Sequence, residues 1–480
     1  MERQKLVLLT AAIVLMVACT NSNRPASSSS SSAGEVTPES LQRRMVERRA
    51  VDAAIWGMPI VSMAAMRQAF FRDAGAKYGD IVYLSQPSDG KFLLATPNNS
   101  TRYVYLNFNT QLDGPVVLEV PATAGAELFG TIEDAWQVPL ADIGPTGEDQ
   151  GKGGKYLLLP PGFTGDVPAG YFPVRVDTYN SYAIPRVITH GSSDADVANA
   201  IAMVKQIKVY PLSKAANPPA TRYVDMVSKV FDGIVRYDES FYASLANMIN
   251  EEPVLPRDKQ MLGMLRTLGI EKGKAFTPDP ATQAVLKQAI SEAHAWFMER
   301  LVTFGQRYWP DGKWDTLVSP VGPTTGFTFE TADYFDVDAR GILYFSVCAP
   351  PKKLGAATFY VGTYMDGSSQ RLRGEDVYRL RVPANVPAKQ FWAVTVYSLE
   401  EATFIRDSVR QSIDSYDQKV TKNSDGSVDI YFGPKPPAGR EANWIPTAAG
   451  KGWYPMFRFY GPDKALFDKS WKLPDLEKVN

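Results

Sequence analysis

Phe391-Trp392-Ala393-Val394-Thr395-Val396-Tyr397 is the stretch on which the fold class turns. It is a run of β-branched and aromatic residues, and as a strand its alternate side chains must face inward. Downstream, Asn423-Ser424-Asp425-Gly426 is a strong turn leading into Val428 to Phe432. The same strand character recurs at Ile342 to Val347, Ala357 to Tyr364, Val377 to Val382 and Met456 to Tyr460. Together these runs predict an antiparallel sandwich of jelly-roll type over 321–480.

Working toward the N-terminus, residues 216–320 read as a helical domain, with 222–308 helical throughout. Val224, Val227, Phe231, Ile234, Phe241, Leu245 and Met248 recur at three- and four-residue intervals. Pro256 starts a shorter helix that Gly269 ends, and Asp279-Pro280 caps the next. The segment from Asp196 to Tyr210 has helical spacing too. From Lys91 to Ile188 the pattern is again short apolar runs between turns: Phe92 to Ala95, Tyr103 to Phe108, Val116 to Val120, Lys155 to Leu159 and Tyr171 to Val176. That spacing predicts a first β-sandwich within 38–215. Thr37-Pro38 opens a helix before it, and Gly57-Met58-Pro59 is expected to interrupt that helix after about Trp56. The chain is therefore mostly β with a helical insert. Its 480 residues exceed one ordinary core and call for two or three domains.

The first residues have the layout of a secretory signal over 1–18: Arg3 and Lys5, an apolar run from Leu6 to Val17, then Ala18 before Cys19. A dozen apolar residues fall short of the roughly 20 that cross a bilayer as a helix. Leu15-Met16-Val17-Ala18-Cys19 resembles the bacterial lipobox, with Met16 where leucine is usual, and predicts lipidation at Cys19. Thr20, rather than aspartate, favours the outer membrane. Residues 19–37 form the lipid anchor and a polar tether with a serine run from Ser27 to Ser32. The expected partner is thus a membrane, reached through acyl chains.

Composition narrows the chemistry. Lys plus Arg (51) nearly equals Asp plus Glu (52), which removes the basic excess that nucleic-acid binding needs. Cys19 and Cys348 are the only cysteines, so no disulfide framework is expected. With His190 and His294 the only histidines, no multi-histidine metal site can be built, and no cofactor is expected. Neither a P-loop nor a nucleophile elbow is present. His294 lies beside the apolar face of a helix, and His190 is in a Gly/Ser-rich stretch; both read as structural.

Ala54-Ile55-Trp56-Gly57-Met58-Pro59-Ile60-Val61 and Gly114-Pro115-Val116-Val117-Leu118-Glu119-Val120-Pro121 resemble the N-terminal module known as domain of unknown function 1254. Phe391 to Tyr397, Asn423 to Ser427, Asn443-Trp444-Ile445-Pro446 and Arg458-Phe459-Tyr460-Gly461-Pro462 resemble its usual companion, domain of unknown function 1214. The resemblance implies an immunoglobulin-like sandwich, a helical domain and a C-terminal jelly-roll-like sandwich, without implying a reaction. In Arg406-Asp407-Ser408-Val409-Arg410 the chain has valine where related chains often have proline.

Two function classes follow. One is an envelope module that binds a small anionic, glycan or acyl ligand. The other is a hydrolase of a small ester or glycan, using carboxylates such as Glu133, Asp134, Asp407 and Asp414 as an acid and base pair. No catalytic residue is assigned. For the binding module, Arg406, Arg410 and Arg458 supply guanidinium forks, Asn443 a neutral donor, and Trp444 and Tyr460 aromatic faces, at the mouth of the jelly roll. The competing reading is that the arginines pair with Asp407, Asp414 or Glu441 and fix the loops.

Overall fold

A computed structural model describes residues 36–189, 193–353 and 358–479. The signal segment, Cys19, most of the tether and His190 lie outside them. The chain divides into two units, 1–42 and 43–480. In the first, Thr37 and Ser40 cap a helix start reciprocally: Thr37 N donates to Ser40 Oγ at 3.0 Å and Ser40 N to Thr37 Oγ1 at 3.2 Å.

The second unit holds two sandwiches. In the first, a seven-stranded sheet runs in the order Arg186–Ile188, Glu127–Asp134, Asn180–Ala183, Arg102–Asn109, Ile81–Tyr83 and Tyr223–Asp225, with Pro139–Ile143 paired to Glu127–Asp134. A four-stranded sheet of Lys208–Pro211, Val116–Val120, Gly154–Leu159 and Phe172–Arg175 covers one face. Strand alternation sorts the side chains. Val104, Leu106, Phe108 and Ile132 meet Val116, Leu118 and Leu158 inside, whereas Tyr103, Tyr105 and Tyr182 face outward.

The second sandwich repeats the plan. Its five-stranded sheet is Asp315–Thr316, Thr358–Gly362, Trp453–Pro462, Ala388–Ser398 and Ser412–Asp414; its four-stranded sheet is Trp444–Pro446, Val428–Gly433, Val377–Val382 and Glu477–Val479. Val361, Val394, Val396, Phe457 and Phe459 fill the interior with Leu380, Ile430 and Phe432. The residues between them, Tyr397, Tyr454 and Met456, join the outward tyrosines of the first sandwich in a third core. Helices add much of that core, principally Pro38–Arg72, Ser240–Glu251 and Pro280–Phe304, with Phe92, Leu93 and Phe231 from a short strand pair. Each larger sheet therefore buries both faces, one in its own sandwich and one in a shared middle layer.

Four local readings are corrected. The first helix does not stop at Trp56; it runs Pro38–Arg72 through Pro59. Proline removes one helix bond, the one to Ile55 O, and side chains from other elements add hydrogen bonds to the same turns: Arg340 Nη2 donates to Trp56 O at 2.9 Å and Gln137 Nε2 to Pro59 O at 2.7 Å. Residues 222–235 are not helical. Tyr223–Asp225 pairs in parallel with Ile81–Tyr83, and Phe231–Asp232 with Phe92–Leu93, because the sheet offers open edges that outweigh an accidental three-four spacing. Helical spacing from Asp196 to Tyr210 holds for Asp194–Val204 only; Lys208–Pro211 is a strand. Ile342 to Val347, read as a strand, lies mainly in the helix Val337–Ser346, which starts where Asp336 accepts from Ala339 N at 2.9 Å.

Candidate functional site

Arg458 stands in the strand Trp453–Pro462 between Phe457 and Phe459. Both phenylalanines turn into the second sandwich, so the guanidinium must leave from the opposite face, toward the middle layer. Directly across the ladder from it is Tyr360, on Thr358–Gly362. The first sandwich presents a matching row: Arg186, on Arg186–Ile188, lies opposite Tyr103 on one neighbouring strand and Phe129 on the other. These two rows are opposing walls of a cavity of about 340 Å³. Leu94, Ile184, Leu317, Val318, Phe327 and Met456 make much of its remaining surface apolar.

The polar groups are tightly tied. Arg186 Nη1 donates to Tyr360 Oη at 3.0 Å and so links the sandwiches. Arg458 Nη1 donates to Thr395 Oγ1 at 2.9 Å, and its Nη2 to Tyr397 Oη at 2.5 Å and to Thr96 O at 3.3 Å. Its guanidinium also lies over the Tyr360 ring, 5.1 Å from the centroid. Asn98 N donates to Tyr103 Oη at 3.0 Å, and Asn98 Nδ2 donates to Tyr460 Oη. Arg458 is 2% exposed, and among the described residues neither it nor Arg186 forms an ion pair with a carboxylate. Asp142, the carboxylate of the lining, is occupied by Thr131 Oγ1 and by the backbone N–H groups of Lys352 and Lys353.

Burial disfavours charge on both arginines, yet the surrounding tyrosines hold each guanidinium above its ordinary pKa: Tyr360, Tyr103 and Tyr460 for Arg186, and Tyr397, Tyr460 and Tyr360 for Arg458. Burial would raise the Tyr360 phenol, but Arg186 and Arg458 together pull it below its usual value. The Cys348 thiol, also in the wall, is pushed up to about 12, chiefly by burial and next by Glu133. It is therefore a poor nucleophile at neutral pH. Three non-glycine lining residues, Thr96, Phe327 and Ala349, have φ of 41°, 62° and 50°, a conformation that costs energy and that packing around the cavity enforces.

Of the residues singled out from sequence, Arg458 and Tyr460 stand together on one face of one strand. The other four are elsewhere. Arg406 pairs with Glu401 at 2.8 Å and Asp232 at 3.1 Å. Arg410 pairs with Asp417 at 2.6 Å and donates to Ala442 O at 2.7 Å. Asn443 is buried, accepts from Thr421 N and donates to Thr421 O and Asp429 O. Trp444 Nε1 donates to Gly433 O at 2.8 Å. The arginines at 406 and 410 thus use carboxylates, though not Asp407, Asp414 or Glu441. Glu133 and Asp134 are neighbours on one strand and face opposite sides, Asp407 is exposed on a loop, and Asp414 accepts from Tyr416 N. No acid and base pair forms among these four. His294 stacks on Tyr237 at 3.8 Å and contacts Glu400 O at 2.6 Å, a packing role. Among the described residues no group of three or more His, Cys, Asp or Glu side chains is placed to hold a metal ion, and no helix is long and apolar enough to cross a membrane.

Arg186 and Tyr360 are the residues that sequence reasoning missed. A signal was present for the arginine. It interrupts the apolar run Ile184, Val187, Ile188, just as Arg458 interrupts Phe457 and Phe459.

Residues 79–211 match the family model described as Protein of unknown function (DUF1254), and residues 357–464 match Protein of unknown function (DUF1214). No curated protein matches the chain. Among solved structures, the VPA0106 protein from Vibrio parahaemolyticus is similar in fold: TM-score 0.52, 20% identity, with 91% of this chain and 100% of that one covered. An uncharacterized protein from Burkholderia cenocepacia aligns with a TM-score of 0.40 and 13% identity, over 92% of this chain and 96% of that one.

Proposed function

From the premise that this chain joins a DUF1254 module to a DUF1214 module, we propose that it is a binding protein of the cell envelope whose ligand is a small organic anion held between the two sandwiches. One observation carries the reading: Arg186 and Arg458 bring two guanidinium groups to one cavity, and no carboxylate balances either. Leaving the buried Arg458 charge without a counter-ion costs several kcal/mol, and Arg186 is half-buried beside it, so a site built this way gains from an anion. The volume of about 340 Å³ is at the lower end of the roughly 300–1,000 Å³ of small-molecule sites. The hydrolase reading has less support, since its carboxylates do not meet and the Cys348 thiol is held protonated.

Anchoring completes the proposal. The apolar run ending at Ala18-Cys19 supports export and lipidation at Cys19, and Thr20 supports the outer membrane as the destination. Cys19→Ala should abolish fatty-acid labelling and release the protein from membranes; a labelled variant would refute it.

Ligand binding is tested by thermal shift. A ligand that binds only the folded chain stabilises it by about 2.7 kcal/mol at a hundred times its Kd. Amphipathic anions should raise the melting temperature of the wild type and leave Leu317→Trp, which fills the cavity, unmoved. Equal shifts in both proteins would dismiss the cavity as the site.

A further inference from the structure

The two cavity arginines are not equivalent. Arg458 has both terminal nitrogens engaged by the protein, Nη1 on Thr395 and Nη2 on Tyr397 and Thr96. Arg186 makes one hydrogen bond among the described residues, from Nη1 to Tyr360. A guanidinium carries five N–H donors in a rigid fork, so the Nε and Nη2 edge of Arg186 offers two parallel donors with no protein acceptor. Tyr360 Oη accepts from Nη1, outside that edge, and so holds the guanidinium in place while leaving the Nε and Nη2 donors open. Arg458 is fixed under the Tyr360 ring and contributes charge and position rather than a second fork.

We propose that the ligand is a monocarboxylate with an apolar tail, its carboxylate bound bidentately by Nε and Nη2 of Arg186, with Tyr360 a positioning residue that holds the fork through Nη1. This rests on the anion-binding reading above and narrows it. Two parallel N–H groups match the two coplanar oxygens of a carboxylate. The tetrahedral oxygens of a phosphate or sulfonate spread over three directions and would need donors around them, and here one fork is available. The tail follows from Leu94, Ile184, Leu317, Val318, Phe327 and Met456. Phe467, which is 48% exposed and contacts Phe359 edge to face, adds apolar surface to the same lining.

Calorimetric titration of the full chain with straight-chain carboxylates from butanoate to dodecanoate, and with the phosphate monoester, sulfonate and alcohol of each chain length, tests both levels. The expected result is saturable binding of at least one carboxylate, at least tenfold tighter than its phosphate, sulfonate and alcohol counterparts. Arg186→Lys, which keeps the charge and loses the fork, should weaken that carboxylate at least tenfold with its melting temperature held. Should Arg186→Lys fail to fold, Tyr360→Phe serves in its place, with a several-fold loss expected. A phosphate or sulfonate that binds as tightly as the carboxylate overturns the ligand class and leaves the anion cavity standing. Undiminished carboxylate affinity in Arg186→Lys, or in Tyr360→Phe where that variant substitutes, overturns the assignment of the fork. If no anion binds, or the alcohols bind as well as the carboxylates, the anion-binding reading falls with it.

Discussion

Gly341 sits so close to Ile55 that a methyl group added to it would lie 2.6 Å from the Ile55 carbonyl oxygen. That carbonyl is the one four residues before Pro59, the position whose helix bond proline abolishes. Two helices meet here backbone to backbone, and neither atom can move aside. Gly341→Ala should therefore destabilise by about 1–3 kcal/mol or more, the usual cost of overpacking. Gly263, in the short helix Lys259–Leu265, has nothing within 4 Å of where its Cβ would go. Gly263→Ala should stabilise by about 0.5–1 kcal/mol. Urea denaturation of both variants checks the contrast, and shifts of the same sign would count against it.

Arg340 is fully buried between the rings of Trp136, at 4.8 Å, and Phe335, at 4.5 Å. Its Nη2 reaches Trp56 O, but Nε and Nη1 have no hydrogen-bond partner. An apolar side chain of similar volume relieves that debt but withdraws the charge that favours the buried Asp258 carboxylate, so Arg340→Met should be close to neutral. Arg340→Ala should instead cost about 2–5 kcal/mol for the space left empty. If Met and Ala destabilise alike, the hydrogen bond to Trp56 matters more than the desolvated charge.

Carboxylate binding should fade at alkaline pH. The groups facing Tyr360 are Arg186, Arg458, Tyr103, Tyr397, Tyr460 and Thr358. The arginines stay charged and the other three tyrosines are held above the usual phenol range, so Tyr360 ionises first, below about 10. As pH rises through that point the phenolate neutralises the arginines, and anion affinity drops. Tyr360→Phe should bind more weakly at neutral pH and lack the alkaline decline. A decline that survives in Tyr360→Phe would assign the titration to another group.

Alkylation reads the state of Cys348. With its thiol pushed up to about 12 against an ordinary value near 8.5, the thiolate fraction at pH 8 is about a thousandfold lower than for a free cysteine. The greater nucleophilicity of a more basic thiolate recovers part of this, leaving iodoacetamide reaction slower by about a hundredfold. A bound carboxylate should slow it further, since Cys348 lines the same cavity. Reaction at the free-thiol rate would show that the thiol is neither desolvated nor shielded.

Several features could be read before the structure, and the reasons for the rest are physical. Phe391 to Tyr397 announced its strand by composition, a run of β-branched and aromatic residues, since all seven are buried and leave no alternation to read. Ile342 to Ser346 misled because every residue in it is buried, and a segment apolar on all sides has no period to read. Gly57-Met58-Pro59 reads as a helix end because local propensity is blind to Arg340 and Gln137, which arrive from far along the chain to bond the carbonyls around it. Arg458 was picked out by its phenylalanine neighbours. Its partners, Arg186 and Tyr360, belong to other strands, and only the docking of two sheets makes them one site.

That docking gives the cavity a mechanical meaning. One wall comes from the N-terminal module and the other from the C-terminal module, with the Arg186 to Tyr360 hydrogen bond stretched between them. Separated, each module would retain half of the cavity wall, and Arg186 would lose Tyr360 while Arg458 kept Tyr397. A ligand bound there as proposed would therefore be a fastener as well as a cargo: filling the gap would pull the modules together, and levering the modules apart would release it. Genetic fission between the modules would cost the protein its site even if both halves folded, which gives selection a direct reason to keep the pair on one chain.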